Sequence, residues 1–283
     1  MSSVNYTVED LKPRILQNIE DLEYKAAYKF CKKALELEPK NATVLEMMGQ
    51  VELELGYYES ARKHLLESIQ LEPNAGYSKY MYLGQMSVAK DAIEAFQKGV
   101  DLMVIERNKL PADSEDSKVI ASKISSALCS MTELYLTDLC FEPEAEQKCE
   151  EYTKHALEVD PNNSEVYQTL ASVRLSQQRQ DEARQALTTA MELWIHKDLG
   201  DPAIPIYESR LNLVKLLLEV GMFDHAFTVL ENLQKENEEV VDLWYLYGWT
   251  YYCLGDEDDR SPEDKTTLWA DARDCLETAV RVK

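Results

Sequence analysis

This chain has no CxxC pair and no nearby Cys/His cluster among its six cysteines, Cys31, Cys129, Cys140, Cys149, Cys253 and Cys275. That argues against a zinc site and leaves free thiols packed in helices. The N-terminal run MSSVNYTVEDLKPRI lacks the basic and apolar blocks of a signal peptide. No apolar run approaches the roughly 18 residues that a membrane helix needs. A soluble protein of a reducing, intracellular compartment is the expectation. Basic residues are also in short supply, 30 against 52 acidic ones, for a formal charge of −22. Such a surface repels phosphate backbones and anionic headgroups and attracts basic partners, so neither direct nucleic-acid binding nor membrane binding is expected.

Catalytic signatures are missing as well. There is no phosphate-cradling glycine loop, no HExxH and no GxSxG. The four histidines, His64, His155, His196 and His225, are scattered, and surface or packing roles account for them. Pairs such as Glu150-Glu151 say nothing about acid–base chemistry in a chain this rich in carboxylates; they read as solvated helix faces. No enzyme activity, cofactor or metal is expected.

What is present is a long supply of helix formers. Only nine glycines and nine prolines interrupt a chain of 283 residues with 45% hydrophobic content, so the composition points to an almost all-helical protein with ample core. The sequence also repeats itself. Ala27 and Ala61, Pro39 and Pro73, Cys149 and Ala183, Ala156 and Ala190, and Leu213 and Tyr247 all stand 34 residues apart. Gly49 sits mid-helix at a cost of about 1 kcal/mol against alanine. In a repeat of two antiparallel helices, Gly49 and Ala61 fall where the helices touch and must be small.

A 34-residue helix–turn–helix period resembles the tetratricopeptide family. That resemblance implies an all-α, right-handed superhelical solenoid, read here as one array of seven repeats and at least fourteen helices. The repeats start near residues 8, 42, 77, 130, 164, 207 and 241. Irregular stretches lie at 106–117, 196–205 and 255–265. The third repeat is four residues short between Gly84 and Ala92, about one helical turn. The first helix of the fourth repeat is expected to begin early, near Lys118.

In this family the first helices line an inner groove. Carried onto this chain, that geometry puts Glu46, Gln50, Glu54, Asp138, Glu142, Glu165, Gln168, Glu208, Glu219 and Asp242 in the groove. Met81, Tyr82 and Gln85 join them from repeat three, and Tyr245, Trp249 and Tyr252 from repeat seven. With Glu9 and Glu20 the groove holds ten acidic residues against Lys12 and Lys215. Aromatic rings beside carboxylates suit Arg and Lys side chains. Packing between repeats is an equally open role for Trp249 and Tyr252. The Lys and Asn pairs of the tetratricopeptide clamp for acidic chaperone tails are absent; the corresponding pairs include Lys12/Leu16, Glu46/Gln50 and Tyr245/Trp249.

The seven irregular repeats, the acidic groove and the runs GYSKYMYLGQ and DAIEAFQKGVDLM resemble more narrowly a fungal family, the dedicated assembly chaperones of the universal ribosomal large-subunit protein four. That resemblance implies capture of the client's Lys/Arg-rich internal loop and escort from cytoplasm to nuclear pre-ribosome, as a monomer or one-to-one complex. The other readings are a tetratricopeptide scaffold joining subunits of another complex and, more remotely, an auxiliary subunit of an enzyme.

Overall fold

A computed structural model describes residues 6–257 and 260–282. Among them are fourteen α-helices and no strand. The chain divides into two compact units, Met1–Glu146 and Gln147–Lys283.

The first unit contains α1 (Val8–Glu20), α2 (Tyr24–Leu37), α3 (Ala42–Glu54), α4 (Tyr58–Leu71), α5 (Ser78–Gln85), α6 (Ala89–Arg107) and α7 (Glu115–Leu136). Short polar side chains set three of these helix starts. Thr7 and Asp10 form a reciprocal capping box on α1, Asn41 caps α3, and Ser114 caps α7 by accepting from the Ser117 amide at 3.2 Å. Each helix buries an apolar stripe: Ala27, Cys31 and Ala34 from α2, and Val44, Leu45, Met48 and Val51 from α3.

The second unit begins within α8 (Ala145–Val159). It continues through α9 (Ser164–Ser176), α10 (Gln180–Glu192), α11 (Tyr207–Glu219), α12 (Phe223–Glu236), α13 (Val241–Asp256) and α14 (Pro262–Val282). One apolar core runs from Ala171 through Leu187, Trp194, Leu213 and Leu230 to Tyr247. The join between α10 and α11 is held by Arg210, which is only 2% exposed. Its guanidinium donates to the Pro205 carbonyl at 2.9 Å and to Asn232 Oδ1 at 2.6 Å. It also pairs with Glu236 and lies over the Trp194 and Tyr207 rings.

The small residues lie where the 34-residue period puts them. A Cβ on Gly49, Gly84 or Gly248 would stand 2.6–2.7 Å from Leu65, Phe96 or Leu276 on the paired helix. Ala27, Ala61, Ala183 and Ala226, all fully buried, are the facing small residues of their repeats. In four of the first helices the bulky residue near the start has a second job. Tyr80, Tyr167 and Trp244 each donate to a backbone carbonyl in the preceding inter-repeat turn, at 2.8–3.0 Å, and Tyr207 donates to the Asn237 carbonyl in the turn that follows its own repeat, at 3.0 Å. These bonds tie one helix pair to the next.

Two irregular stretches are shorter than composition suggests, because flanking helices extend into them. α6 runs to Arg107 and α7 starts at Glu115, fifteen residues before the fourth repeat begins. α13 runs to Asp256, and α14 starts at Pro262, with Ser261 accepting from the Asp264 amide at 3.1 Å.

Candidate peptide-binding surface

In the first unit, α3 carries Glu46, Gln50 and Glu54, and α5 carries Met81, Tyr82 and Gln85. The two α3 carboxylates differ in kind. Glu54 is exposed. Glu46 is half-buried beside Gly76, whose absent Cβ would lie 2.8 Å from Glu46 Oε2. Burial holds the Glu46 carboxyl above its ordinary value, opposed by the Lys79 charge and by a hydrogen bond from the Lys79 amide at the start of α5. Lys79 is itself buried, donates to the Glu72 carbonyl at 2.5 Å, and has its ammonium pushed down by burial. Glu46 is therefore engaged within its own fold, whereas Glu54 faces solvent. Burial, and next the charges of Glu46 and Glu54, push the Tyr82 hydroxyl up to about 12.

Asp138 and Glu142 do not lie on a first helix. α7 ends at Leu136, so both belong to the turn that follows, where Glu142 pairs with Lys90 at 2.9 Å. A buried acid was not singled out in the sequence. Glu52, 1% exposed, accepts from Ser60 Oγ at 2.8 Å and lies 2.6 Å from His64 Nδ1. On a helix wheel it is one glutamate among many.

In the second unit, Glu208 and Glu219 stand exposed at the two ends of α11, and Asp242 is exposed in the first turn of α13. Glu165 is half-buried in the first turn of α9. Gln168 is turned inward: it is 7% exposed and donates to Ser209 Oγ at 3.3 Å, joining α9 to α11. Its contribution is a link between first helices, not a free amide.

Tyr245, Trp249 and Tyr252 are 50%, 45% and 45% exposed, so α13 presents their rings to solvent. Trp249 and Tyr252 stack with centroids 5.5 Å apart, and Tyr252 stacks in turn on Trp269 of α14 at 6.4 Å. Trp269 was missed in the sequence because a tryptophan on a second helix reads as core. The nearby glycine was the available signal, since a Cβ on Gly255 would stand 2.7 Å from Trp269 Nε1. These groups can pair with cations and stack on planar or charged side chains. Among the described residues no group of three or more His, Cys, Asp or Glu is placed to hold a metal, and no helix is long and apolar enough to cross a membrane.

Known proteins resemble this chain in sequence and fold. The tetratricopeptide repeat family matches residues 42–75 and 152–185, the first match beginning at the residue that opens α3. In Schizosaccharomyces pombe the protein named "Probable assembly chaperone of rpl4" is 36% identical over 253 residues, covering 86% of this chain and 74% of its own length. A protein of the same name in Emericella nidulans is 35% identical over 257 residues, covering 84% of this chain and 63% of its own. The solved structure of the Assembly Chaperone of RpL4 (Acl4), residues 1–338, aligns at TM-score 0.80 and 30% identity over 89% of this chain and 98% of that one. A tetratricopeptide repeat protein from Parabacteroides merdae, at 13% identity and TM-score 0.55, shares the fold.

Proposed function

The chain belongs to the family of assembly chaperones of rpl4, and from that premise we propose that its acidic first-helix faces capture a Lys/Arg-rich segment of that ribosomal protein. The chain holds its client one-to-one, shields the basic segment from aggregation and from non-cognate RNA, and escorts it from cytoplasm to the nuclear pre-ribosome. Its role is binding, with no catalytic step and no cofactor.

The observation that carries this reading is the joint exposure of Glu208, Glu219 and Asp242 with the Tyr245, Trp249 and Tyr252 rings on α11 and α13. An anionic surface with open aromatic faces competes with rRNA for the same cationic side chains, and a stronger polyanion displaces it later. A formal charge of −22 adds long-range attraction that raises the capture rate.

The test is a charge reversal restricted to exposed groups. Glu54, Glu208, Glu219 and Asp242 are changed together to Lys, and binding to rpl4 is measured at low and moderate salt. Exposed ion pairs contribute about 0–1 kcal/mol each. Four reversals add repulsion to lost attraction, so affinity falls by about two orders of magnitude. Reversing Glu36, Glu94, Glu192 and Glu231, exposed on the second helices, is expected to do much less. Equal weakening by both sets would refute a defined binding face, and salt-insensitive capture would favour a scaffold.

A further inference from the structure

A pocket of about 290 Å³ opens between α5 and α7 in the first unit. Met81 and Tyr82 form one wall, Ser122, Ser126 and Ala127 of α7 the other, and Phe96 of α6 lies beneath. Phe96 reaches that place because Gly84 has no side chain; a Cβ there would stand 2.7 Å from the ring. Apart from Lys123 at the edge, the α7 wall is made of small residues, which leaves the space open. The volume is near the lower limit, roughly 300 Å³, for sites that take whole small molecules, and fits one large side chain better.

The pocket's charge differs from that of its surroundings. None of its lining residues is a carboxylate, in a chain with 52 acidic residues. Its one charged lining residue is Lys123, which spans the pocket's edge by donating to the Tyr77 hydroxyl at 3.0 Å and sits over the Tyr77 ring. On the α3 side, Glu46 lies against Gly76, the residue before pocket-lining Tyr77, and α3 packs against α5 with Glu54 exposed near its end. A cationic side chain would meet Lys123 and an apolar floor inside, and a better-placed acid just outside. An uncharged apolar side chain finds the reverse.

We infer that this pocket seats one apolar anchor of the client, a Phe, Leu or Met class side chain, flanked by basic residues that lie toward the exposed Glu54 of α3. The inference rests on the proposal that the chain captures a basic segment, and it adds a recognition element that charge alone does not supply. Charge attracts many basic segments; an apolar anchor at a fixed distance from the basic residues selects among them.

The probe is a fluorescent library of Lys/Arg-rich peptides with Phe or Ser at one position, the spacing to the nearest basic residues being varied. The unaltered protein is expected to bind the best Phe member about tenfold more tightly than its Ser counterpart. Ser122→Trp, from an exposed position on the pocket rim, and Gln85→Trp, from the opposite wall, should each collapse that ratio toward one. Two results would overturn the inference: Phe and Ser members bound alike at every spacing, or a preference that survives a pocket-filling variant which retains its helical circular dichroism. If Phe and Ser members bind alike but are released by salt, only the pocket assignment falls. If no member binds, the capture of basic segments falls with it.

Discussion

Gly49 and Leu65 meet so closely that no side chain fits between them: a Cβ on Gly49 would stand 2.6 Å from Leu65 Cγ and 3.3 Å from the Ala61 carbonyl oxygen. The atom in the way is a branch point, not the free end of a flexible chain, so relief requires the helices to part. Gly49→Ala adds helix propensity worth about 1 kcal/mol, yet overpacking costs typically 1–3 kcal/mol. The variant is expected to melt lower, by about 2–4 °C for each kcal/mol lost. Gly248→Ala should behave alike, because its Cβ would stand 2.7 Å from Leu276 Cγ and 3.0 Å from the Ala272 carbonyl oxygen. Unchanged melting of both would show that the glycines are not there for close approach.

Glu46 gives a pH-dependent prediction. Its carboxyl is held above the ordinary value of 4.5, chiefly by burial. A raised carboxyl binds its proton more firmly in the folded state than in the unfolded one. Stability from this group is therefore present at low pH and falls as pH rises from the ordinary value through the raised one. Glu46→Gln keeps an acceptor for the Lys79 amide and removes the buried charge. It should melt higher than the unaltered protein at about pH 7, with the difference vanishing near pH 4 where both are neutral. Glu46→Lys instead sets a second ammonium beside buried Lys79 and should lower the melting temperature, which makes it a poor probe of binding. Thermal melts across pH distinguish the two variants.

Most of the helical architecture was legible because the 34-residue period records helix contact directly. Val8, Ala42, Ser164, Tyr207 and Val241 open both repeats and observed helices. Where reading fell short, local capping outweighed composition. The stretch ERNKLPADSEDS looks like a polar loop leading to a helix expected from near Lys118, but Ser114 with Glu115 and Asp116 behind it is a helix start, and α7 begins there, three residues earlier. The same holds at Ser261-Pro262, where the hydroxyl and the fixed proline φ start α14 inside an acidic run. Of the site, the exposed charges of Glu54, Glu208, Glu219 and Asp242 follow from repeat position alone. The buried polar pairs do not. Glu52 with His64, and Gln168 with Ser209, are polar residues on inward faces, and only the three-dimensional partner distinguishes them from surface ones.

Cys31 and Cys140 are expected to differ sharply in reactivity. Burial, and next the Glu52 charge, pushes the Cys31 thiol up to about 12. At pH 8 about one molecule in ten thousand carries the thiolate there, even before access is considered. Cys140 is exposed in the turn after α7. Brief iodoacetamide treatment of the native protein followed by peptide mass analysis should find Cys140 alkylated and Cys31 not, and unfolding in urea should expose both. Early labelling of Cys31 would mean that α2 opens away from α3 on the timescale of the reaction.

Trp249 tests whether the open rings of repeat seven recognise cations. It is 45% exposed and stacks on Tyr252, so Trp249→Ala removes a binding surface while leaving Leu243, Leu246 and Tyr247 of the α13 core in place. The expected change in melting temperature is small. The expected change in client binding is a loss of about 0.5–2 kcal/mol, the range for a cation over an aromatic face from exposed to desolvated settings. Arg stacks on such faces better than Lys, whereas both pair with carboxylates. Trp249→Ala should therefore weaken an Arg-rich peptide more than a Lys-rich peptide of equal charge, while Asp242→Asn weakens both by similar factors. Titrations of the two peptides against the two variants separate ring recognition from charge. Equal losses for both peptides with Trp249→Ala would assign the ring to packing against Tyr252 alone.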